Sequence, residues 1–280
     1  MEARLITRDG IELAISDSRG PGAPVVLVHG FSNDRFVWDD LVAALPGART
    51  IRHDLRGHGD SGWSLDCRYH LFDHAADLLE IFDALSLGRA ALIGHSLGGN
   101  IAALFASRNP DRVSRLVMID SGPALGADAW RRASSDVSEQ ARAYDGIADY
   151  RKLLGLAYPL AAPAALDRLA RTSLVQRRDG RFEPKLDPAL LELLGTEDEL
   201  RQTEATLWDA LAKLRCPVLL ARGERSAMLP DDVARKMTGS AIAQAQLAQI
   251  PNAGHAVMFD NAPDLAREVS AFLAANTNAA

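Results

Sequence analysis

A glycine-flanked serine between an apolar strand and a helix constrains this chain more than any other feature. The run from Ala90 to Ile93 is followed by Gly94-His95-Ser96-Leu97-Gly98-Gly99 and then by the helical pattern NIAALFASRNP. A Gly-x-Ser-x-Gly turn between strand and helix needs small neighbours, because the backbone turns sharply and leaves little room. Such a turn exposes the hydroxyl as a nucleophile, so the pattern predicts a catalytic Ser96. The alternative is a glycine-rich turn with a spectator serine.

Short apolar runs alternate with helical segments along most of the chain. The runs cover residues 25–30, 49–54, 90–95, 115–120, 218–223 and 245–251. Strands that alternate with helices form βαβ units, so the pattern predicts an α/β fold whose mostly parallel sheet is covered on both faces. Residues 4–18 differ, because two alternating runs flank Asp9-Gly10, which favours a tight hairpin turn. We expect this hairpin at an edge of the sheet.

The strand pattern disappears in the middle of the chain. Residues 123–213 have helical character and many arginines, and strand character resumes at Cys216. Proline or glycine stands near both junctions, at Gly122-Pro123 and at Pro217, as is typical of segment boundaries. The sequence therefore predicts a core made of residues 1–122 and 214–280, with residues 123–213 inserted as a helical cap.

Composition and charge exclude several classes of function. Of the 280 residues, 48% are hydrophobic and 24% charged, as in ordinary folded domains, and the net charge is −6. A negative chain has no long-range attraction to phosphate backbones or anionic membranes, so neither nucleic acid nor a membrane is an expected partner. No signal-like stretch or membrane span is visible, so we expect a cytoplasmic protein. Cys67 and Cys216 are expected to be reduced thiols.

A serine that attacks a carbonyl carbon needs two N–H donors for the charge that builds on the oxygen. Leu97 N–H lies at the start of the helix after Ser96, where backbone donors are free and the helix dipole favours negative charge. The second donor should come from the turn after the strand at residues 25–30. Phe31 N–H is the candidate, and together the two N–H groups form the predicted oxyanion hole.

Four segments together resemble the α/β-hydrolase superfamily, in its order, across almost the whole chain outside the cap. They are HGFSNDRFVW, DLRGHGDSG, GHSLGG and GHAVMFDNAP. The resemblance implies an eight-stranded sheet, a cap after the sixth strand and the catalytic order serine, acid, histidine. It also implies that His255, after the last strand, is the general base, although a structural loop histidine is the alternative. A serine nucleophile disfavours the dehalogenase and epoxide-hydrolase chemistries of the superfamily.

The acid that orients His255 is the least obvious member of this set. In many relatives the loop after the seventh strand reads like RGERSD, and the position of that aspartate is Ala227 here. Glu224 stands too early on the strand end, and two later aspartates look like the first turn of a helix. Asp120 ends an apolar strand at the carboxyl edge, where such sheets place catalytic groups. We therefore expect Asp120, as in the acetamidomethylenesuccinate hydrolase branch that the chain resembles; the alternative is a strand-end cap of local N–H groups.

Substrate contacts are predicted from the cap and from the turns beside the nucleophile. Tyr158 and Trp208 are expected near the ligand, although aromatic residues at helical spacing also form cap cores. His29 is a further substrate-side candidate, and the alternative is that its ring nitrogens fix the loop backbone. The cap arginines fit a solvated face better than an anion clamp. Ala157 precedes Tyr158-Pro159, so the substrate of the acetamidomethylenesuccinate hydrolase branch is not carried over.

These residues predict a serine hydrolase that cleaves a carboxylic ester, or a related acyl bond, of a small molecule through an acyl-enzyme. No cofactor is implied, and no histidine or cysteine pattern predicts a metal site. Alternatives on the same fold are an amide or C–C bond hydrolase, a cofactor-free oxygenase that uses His255 as a base, and a non-catalytic ligand-binding protein. A monomer and a homodimer both fit the sequence.

Overall fold

A twisted, mostly parallel sheet forms the centre of the computed structural model, which describes residues 1–124, 142–192 and 197–275. The strands of these residues are β1 (Glu2–Ile6), β2 (Glu12–Asp17), β3 (Pro24–Val28), β4 (Arg49–His53), β5 (Ala90–His95), β6 (Val113–Ile119), β7 (Leu174–Gln176), β8 (Phe182–Pro184), β9 (Val218–Gly223) and β10 (Ala245–Ile250). Eight of them form one sheet in the order β1-β2-β4-β3-β5-β6-β9-β10. Only β2 pairs antiparallel with its neighbours β1 and β4. The predicted fold class is confirmed.

Helices cover both faces of the sheet and connect its parallel strands. They are α1 (Asp39–Ala43), α2 (Leu71–Ala84), α3 (Leu97–Arg108), α4 (Ile147–Ala157), α5 (Pro163–Thr172), α6 (Ala189–Glu192), α7 (Glu197–Ala212), α8 (Asp231–Lys236), α9 (Val257–Asp260) and α10 (Ala262–Ala274). Short 3₁₀ turns occupy Arg35–Trp38 and Pro110–Arg112, and a π-helical turn occupies Met237–Ala241.

The continuous apolar runs of the sequence arise because both faces of the central strands are buried. In β3, Val26 and Val28 join the cluster that contains α2, α3 and α7 side chains, whereas Val25 and Leu27 join the cluster of α1, α9 and α10. Successive side chains of a strand point to opposite faces, so a strand that is buried on both faces is apolar at every position. The β1–β2 hairpin is the exception: the exposed positions of β1 alternate, and Gly10 adopts a φ of +83° in the turn.

The described residues between β6 and α7 pack against loops that follow the carboxyl ends of the parallel strands. They contain α4, α5, the β7–β8 hairpin and α6, and buried side chains of α4 and α5 continue the cluster that holds α1 and α10. Ion pairs tie them to the core, with Arg168 bonded to Asp40 at 2.6 Å and Lys185 to Asp60 at 2.7 Å. Trp130, an aromatic residue within the predicted cap range, lies outside the described residues. The helix α7 falls inside the predicted cap range but packs against α3, which favours an earlier return to the core.

Two further properties of the chain concern its thiols and its helices. Cys67 is exposed and Cys216 is buried, and both are free thiols. Burial raises the pKa of the Cys216 thiol to about 11, which makes it unreactive.

Within the described ranges, every helix is too short or too polar to cross a membrane.

Four histidines lie buried between the sheet and the loop that follows β4. The rings of two of them, His29 and His58, meet edge to face with centroids 5.4 Å apart. Burial lowers the pKa of His53 and of His58 from 6.5 to about 4, and lowers the pKa values of the other two well below 6.5. These histidines are therefore neutral near pH 7. The cluster consists of His29, His53, His58 and His74.

This cluster predicts that the protein loses stability as the pH falls from about 6.5 to 4. The unfolded chain takes up protons on these histidines below pH 6.5, while the folded chain resists until about pH 4, so the free energy of unfolding falls. Burial raises the pKa values of Asp54 and Asp77 to about 6, and these two groups oppose the four histidines. Each unopposed histidine changes the unfolding constant up to about tenfold per pH unit.

The measurement is urea unfolding at half-unit steps between pH 7.5 and 4.5. His53 has both ring nitrogens buried without a partner among the described side chains, so His53→Leu should reduce the proton uptake on unfolding by about one. The matched control is His70→Asn, which replaces an exposed histidine at the start of α2. Equal slopes for His53→Leu and the parent would contradict the assignment.

Candidate active site

The backbone at Ser96 makes a sharp turn between β5 and α3. Its φ of 51° and ψ of −120° are unusual for a residue with a side chain. A Cβ on Gly94 would lie 2.3 Å from the Gly98 carbonyl oxygen, and one on Gly98 would lie 2.1 Å from the Val28 carbonyl oxygen. The glycines of the motif are thus required by close backbone contacts, and Ser96 N–H is held by the Ile119 carbonyl at 3.0 Å.

Three side chains from three loops at the carboxyl edge of the sheet form a continuous hydrogen-bonded chain. His255 Nε2 lies 3.1 Å from Ser96 Oγ, and His255 Nδ1 lies 2.7 Å from Asp120 Oδ2. Asp120 is fully buried, whereas 29% of the His255 side chain is exposed. The loop of His255 is held by Asp260, whose carboxylate accepts the Gly254 N–H at 2.8 Å. The structure therefore brings together the three residues predicted as nucleophile, base and acid.

Asp120 is held on both of its carboxylate oxygens. Its Oδ1 accepts the Gly223 N–H at 3.1 Å, and its Oδ2 accepts the Ser226 hydroxyl at 2.5 Å as well as His255 Nδ1. Its backbone has a φ of 43° and donates to the Ala221 carbonyl at 2.8 Å. Asp120 therefore accepts a hydrogen bond from a local N–H, as in the alternative of a strand-end cap, and it also bonds the His255 imidazole. Three donors from fixed positions hold the carboxylate in one orientation.

Ser226 is a residue of this site that the sequence did not reveal. While its hydroxyl donates to Asp120, its Oγ accepts the N–H groups of Met228 and Leu229, each at 3.2 Å. The side chain of Arg222 fixes the same loop by donating to the Leu229 carbonyl at 2.8 Å and to the Ser226 carbonyl at 3.0 Å. The segment RGERSAML therefore contributes a hydroxyl that supports the acid from the neighbouring strand.

The other acidic candidates of this segment lie elsewhere. Ala227 is exposed, and so is Glu224, whose carboxylate accepts the Asn252 N–H at 3.3 Å. Asp231 is in the first turn of α8 and pairs with Arg235 at 2.6 Å, as expected for a residue at a helix start. Asp120 is thus the carboxylate that the structure brings to His255.

Removing the Ser226 hydroxyl should weaken the site without removing any of its three main side chains. A hydrogen bond to a charged group contributes about 1.5–3 kcal/mol, so we expect Ser226→Ala to lower kcat about 10- to 100-fold. Ser226→Thr keeps the hydroxyl and should stay within about threefold of the parent. The measurement is kcat for a chromogenic ester, with thermal unfolding in parallel. Equal losses for both variants would show that the hydroxyl is not the cause.

His95, next to the serine, supports the base through its backbone. Its Nε2 lies 2.9 Å from the His255 carbonyl oxygen, and the two rings lie 4.8 Å apart. Because a carbonyl only accepts, Nε2 carries the hydrogen and Nδ1 is the bare nitrogen. Burial lowers the pKa of His95 to about 3, so the ring stays neutral. This geometry fits a role in fixing the loop backbone.

The sequence left two interpretations of His29, a contact with the substrate or a bond to the loop backbone. The residue is fully buried, with Nδ1 2.8 Å from the Gly30 carbonyl oxygen and Nε2 accepting the Leu55 N–H at 2.9 Å. Both ring nitrogens are therefore bonded to backbone, and no face is open to a ligand. These contacts fit the alternative interpretation, in which His29 fixes the backbone of the turn that carries Phe31.

The two predicted N–H donors stand on neighbouring turns. Among the described hydrogen bonds, neither Phe31 N–H nor Leu97 N–H has an acceptor. The contact of Gly98 with the end of β3 brings the start of α3 against the turn that holds Phe31. Asn33 stiffens that turn, since its N–H donates to the Gly30 carbonyl at 3.3 Å and its Nδ2 donates to the Phe31 carbonyl at 2.9 Å.

The two predicted cap aromatics have different positions. Tyr158 ends α4 and packs edge to face on Phe259, with centroids 5.6 Å apart, close behind the loop of His255. Trp208 donates to Glu204 at 3.2 Å, and its ring lies under the Lys236 ammonium at 4.1 Å. Its indole packs against the sheet-face cluster of α2 and α3, so these contacts give no support to a ligand-contacting role for Trp208.

Comparison with known proteins shows the family to which the chain belongs. The profile of the alpha/beta hydrolase fold family matches residues 23–262, and the chain belongs to that family. A Bacillus subtilis (strain 168) protein, provisionally named 2-succinyl-6-hydroxy-2,4-cyclohexadiene-1-carboxylate synthase, is 32% identical over 277 residues, covering 95% of this chain and 96% of the relative. The 2-(acetamidomethylene)succinate hydrolase of Mesorhizobium japonicum is 29% identical over 212 residues, covering 75% and 74% of the two chains.

The solved structures give the same result. The crystal structure of E-2-(acetamidomethylene)succinate hydrolase superposes with a TM-score of 0.89 at 25% identity, over 98% of this chain and 99% of the other. The predicted resemblance to that branch is thereby confirmed. Further relatives include hydrolases, esterases and lipases, so the chain is a member of a hydrolase family.

Proposed function

We propose that this protein is a serine hydrolase that cleaves a carboxylic ester, or a related acyl bond, of a small molecule through an acyl-enzyme. The observation that carries the proposal is the continuous contact from Asp120 through His255 to Ser96, at 2.7 and 3.1 Å, on a strained turn. Such a chain is the arrangement that activates a hydroxyl for attack on a carbonyl carbon. No cofactor enters the reaction.

The first half of the reaction transfers the acyl group to the enzyme. Ser96 Oγ forms a bond to the carbonyl carbon while its proton moves to His255 Nε2, and the carbonyl electron pair moves onto the oxygen. The free N–H groups of Phe31 and Leu97 are the proposed donors to that oxyanion. The carbonyl then re-forms, the bond to the leaving oxygen breaks, and His255 gives its proton to the departing alcohol.

The second half regenerates the enzyme. A water molecule attacks the acyl carbon while His255 Nε2 takes one of its protons, and the acid is released when Ser96 Oγ recovers a proton from the imidazolium. Asp120 keeps Nδ1 as the N–H donor in both halves, so that Nε2 faces Ser96 with its lone pair at the start of each half. Ser226 and Gly223 are proposed to keep Asp120 in that orientation.

Four arginines of the cap are paired within the protein and are not proposed as a binding site for a dicarboxylate. Arg151, Arg168, Arg177 and Arg181 each form an ion pair with an acidic residue. These arginines therefore have their partners within the protein, which fits a solvated face. Arg131 and Arg132 lie outside the described residues. We propose that the part of residues 123–213 that precedes α7 covers the site, with Tyr158 near its inner side. We also propose a cytoplasmic location for the whole protein.

Active-site labelling tests the proposal. A fluorophosphonate should phosphonylate Ser96 in the folded protein, and mass spectrometry of a tryptic digest should find the adduct on that residue alone. The exposed Ser240, which bonds only a local backbone carbonyl, should stay unlabelled. A chromogenic ester that the protein hydrolyses should slow the labelling when it is present in excess. Absence of an adduct at Ser96 in folded protein would contradict the hydrolase proposal.

A further inference from the structure

A narrow cleft between the core and the cap opens beside the turn that carries Phe31. Its core wall is formed by Asn33 and Asp34, and its cap wall by Tyr150, Ser173 and Lys185. We call it the Asn33 cleft. Three of these side chains are more than nine-tenths buried, with exposures of 7% for Asn33, 1% for Asp34 and 6% for Ser173. Polar groups so deeply buried are normally hydrogen-bonded.

Asn33 breaks that rule on one atom. Its Nδ2 donates to the Phe31 carbonyl at 2.9 Å, which fixes the orientation of the amide, because a carbonyl oxygen needs a donor. Its Oδ1 is then a buried acceptor, and among the described residues it has no partner. A buried acceptor without a partner costs about 1–3 kcal/mol, so a group that donates a hydrogen bond to Oδ1 is favoured.

The neighbouring groups limit what that donor can be. Asp34 accepts the Phe36 N–H at 2.9 Å and the Ser173 hydroxyl at 3.1 Å, and burial raises the pKa of its carboxyl. Lys185 Nζ bonds to Asp60 at 2.7 Å. The cleft thus has one carboxyl group and one amino group in its lining, and each is already bonded within the protein. This lining favours a neutral polar group over an ion of either sign.

A hydroxyl group fits, since it donates and accepts at once. It can donate to Asn33 Oδ1 and accept from Tyr150, whose buried position raises the pKa of the phenol and keeps it protonated. We propose that the Asn33 cleft is a subsite for a hydroxyl group of the substrate, a proposal that rests on the hydrolase function given above. The substrate class is thereby narrowed to hydroxylated esters.

The position of the cleft sets the distance between that hydroxyl and the reacting carbonyl. Consecutive Cα atoms are about 3.8 Å apart, so the Cα atoms of Phe31 and Asn33 are at most about 7.6 Å apart. The residues that carry the proposed oxyanion donor and the free acceptor are therefore close enough for one small ligand to reach both. Esters with a hydroxyl on C3 to C6 of the acyl chain, or with a hydroxyl on a short alcohol, have the two groups at suitable separations.

Paired substrates that differ only in the hydroxyl test the subsite. The pairs are p-nitrophenyl 3-hydroxybutanoate with butanoate, p-nitrophenyl 6-hydroxyhexanoate with hexanoate, and 2-hydroxyethyl with propyl butanoate. In the parent enzyme we expect kcat/KM to be about tenfold or more higher for the hydroxylated member of at least one pair, as for one satisfied buried hydrogen bond. The ratio within a pair cancels any general loss of activity.

Variants assign the discrimination to the cleft. Asn33→Leu should bring the ratio to about one, because it removes the acceptor oxygen. Tyr150→Phe preserves the ring contact with Tyr144 at 5.0 Å and should lower the ratio partly. Gln176→Leu removes an exposed cap amide and serves as the matched control, with an unchanged ratio.

The failure of this proposal can be told apart from the failure of the proposed function. If no ester is hydrolysed, the function fails, and calorimetric binding of 3-hydroxybutyrate and butyrate to Ser96→Ala protein still decides the subsite. Tighter binding of the hydroxy acid that disappears on adding Asn33→Leu would support it. A ratio near one for every pair, or a ratio that persists in Asn33→Leu, would mean that Asn33 Oδ1 binds water only and would overturn the proposal.

Discussion

Ser96→Ala is expected to lower kcat for ester hydrolysis by about a million-fold, the scale measured when the nucleophile of a serine hydrolase is removed. The remaining rate comes from binding and from the N–H groups of Phe31 and Leu97, which the substitution leaves in place. The fold should persist, since the close contacts of this turn involve its glycines rather than the serine hydroxyl. Burst kinetics with a chromogenic ester measure the loss, and circular dichroism checks the fold.

His255→Gln separates the proposed mechanism from its rivals on the same fold. If an acyl-enzyme forms, both variants should lose comparable activity, because neither residue acts without the other. In a cofactor-free oxygenase or a hydrolase that uses only a base, Ser96→Ala would keep substantial activity while His255→Gln would not. A ligand-binding protein without catalysis would show no turnover in the parent. Retention of more than about a hundredth of the rate in Ser96→Ala would reject the acyl-enzyme.

The sheet and the serine turn could be predicted because their patterns have direct physical causes. Strands buried on both faces must be apolar throughout, as in Val25 to Val28, and the turn at Ser96 excludes side chains at Gly94 and Gly98. The edge hairpin was visible because Asp9-Gly10 provides a residue suited to positive φ. Local steric rules and periodicity were sufficient for these features.

The partners of the catalytic side chains could not be predicted in the same way. Ser226 belongs to a loop without any periodic pattern, and its bond to Asp120 depends on how two parallel strands, β6 and β9, bring their ends together. His29 and Trp208 are residue types that suit a ligand site, but a residue type does not show which contacts a side chain makes. The His29 ring bonds to backbone groups, and the Trp208 ring packs against Lys236 of α8.

Asp120→Asn is expected to lower kcat by about 10³ to 10⁴ with little change in stability. An asparagine amide can donate to His255 Nδ1, which favours the tautomer whose Nε2 carries the proton and cannot accept one from Ser96. Asparagine also tolerates the positive φ of this position better than most residues. The measurement is kcat with a chromogenic ester, and urea unfolding tests the stability. A variant nearly as fast as the parent would place the orienting acid elsewhere.

Whether the acid can be moved is best tested in an Asp120→Gly background, which frees the space beside His255 and removes the strain of a side chain at a φ of 43°. Ser226 Oγ lies 2.5 Å from Asp120 Oδ2, so an aspartate at position 226 would place its carboxylate near the space left by Asp120. Ala227 is exposed, so an aspartate there would lie farther from that space. We therefore expect Ser226→Asp to recover about tenfold or more of the lost kcat, and Ala227→Asp to recover less unless the loop adjusts. Crystal structures of both double variants should show a carboxylate oxygen within about 3.2 Å of His255 Nδ1 in the more active one. Greater recovery with Ala227→Asp would mean that the loop RGERSAML reaches the imidazole from its exposed side, and that Ser226 supports Asp120 without marking the shortest path to the base.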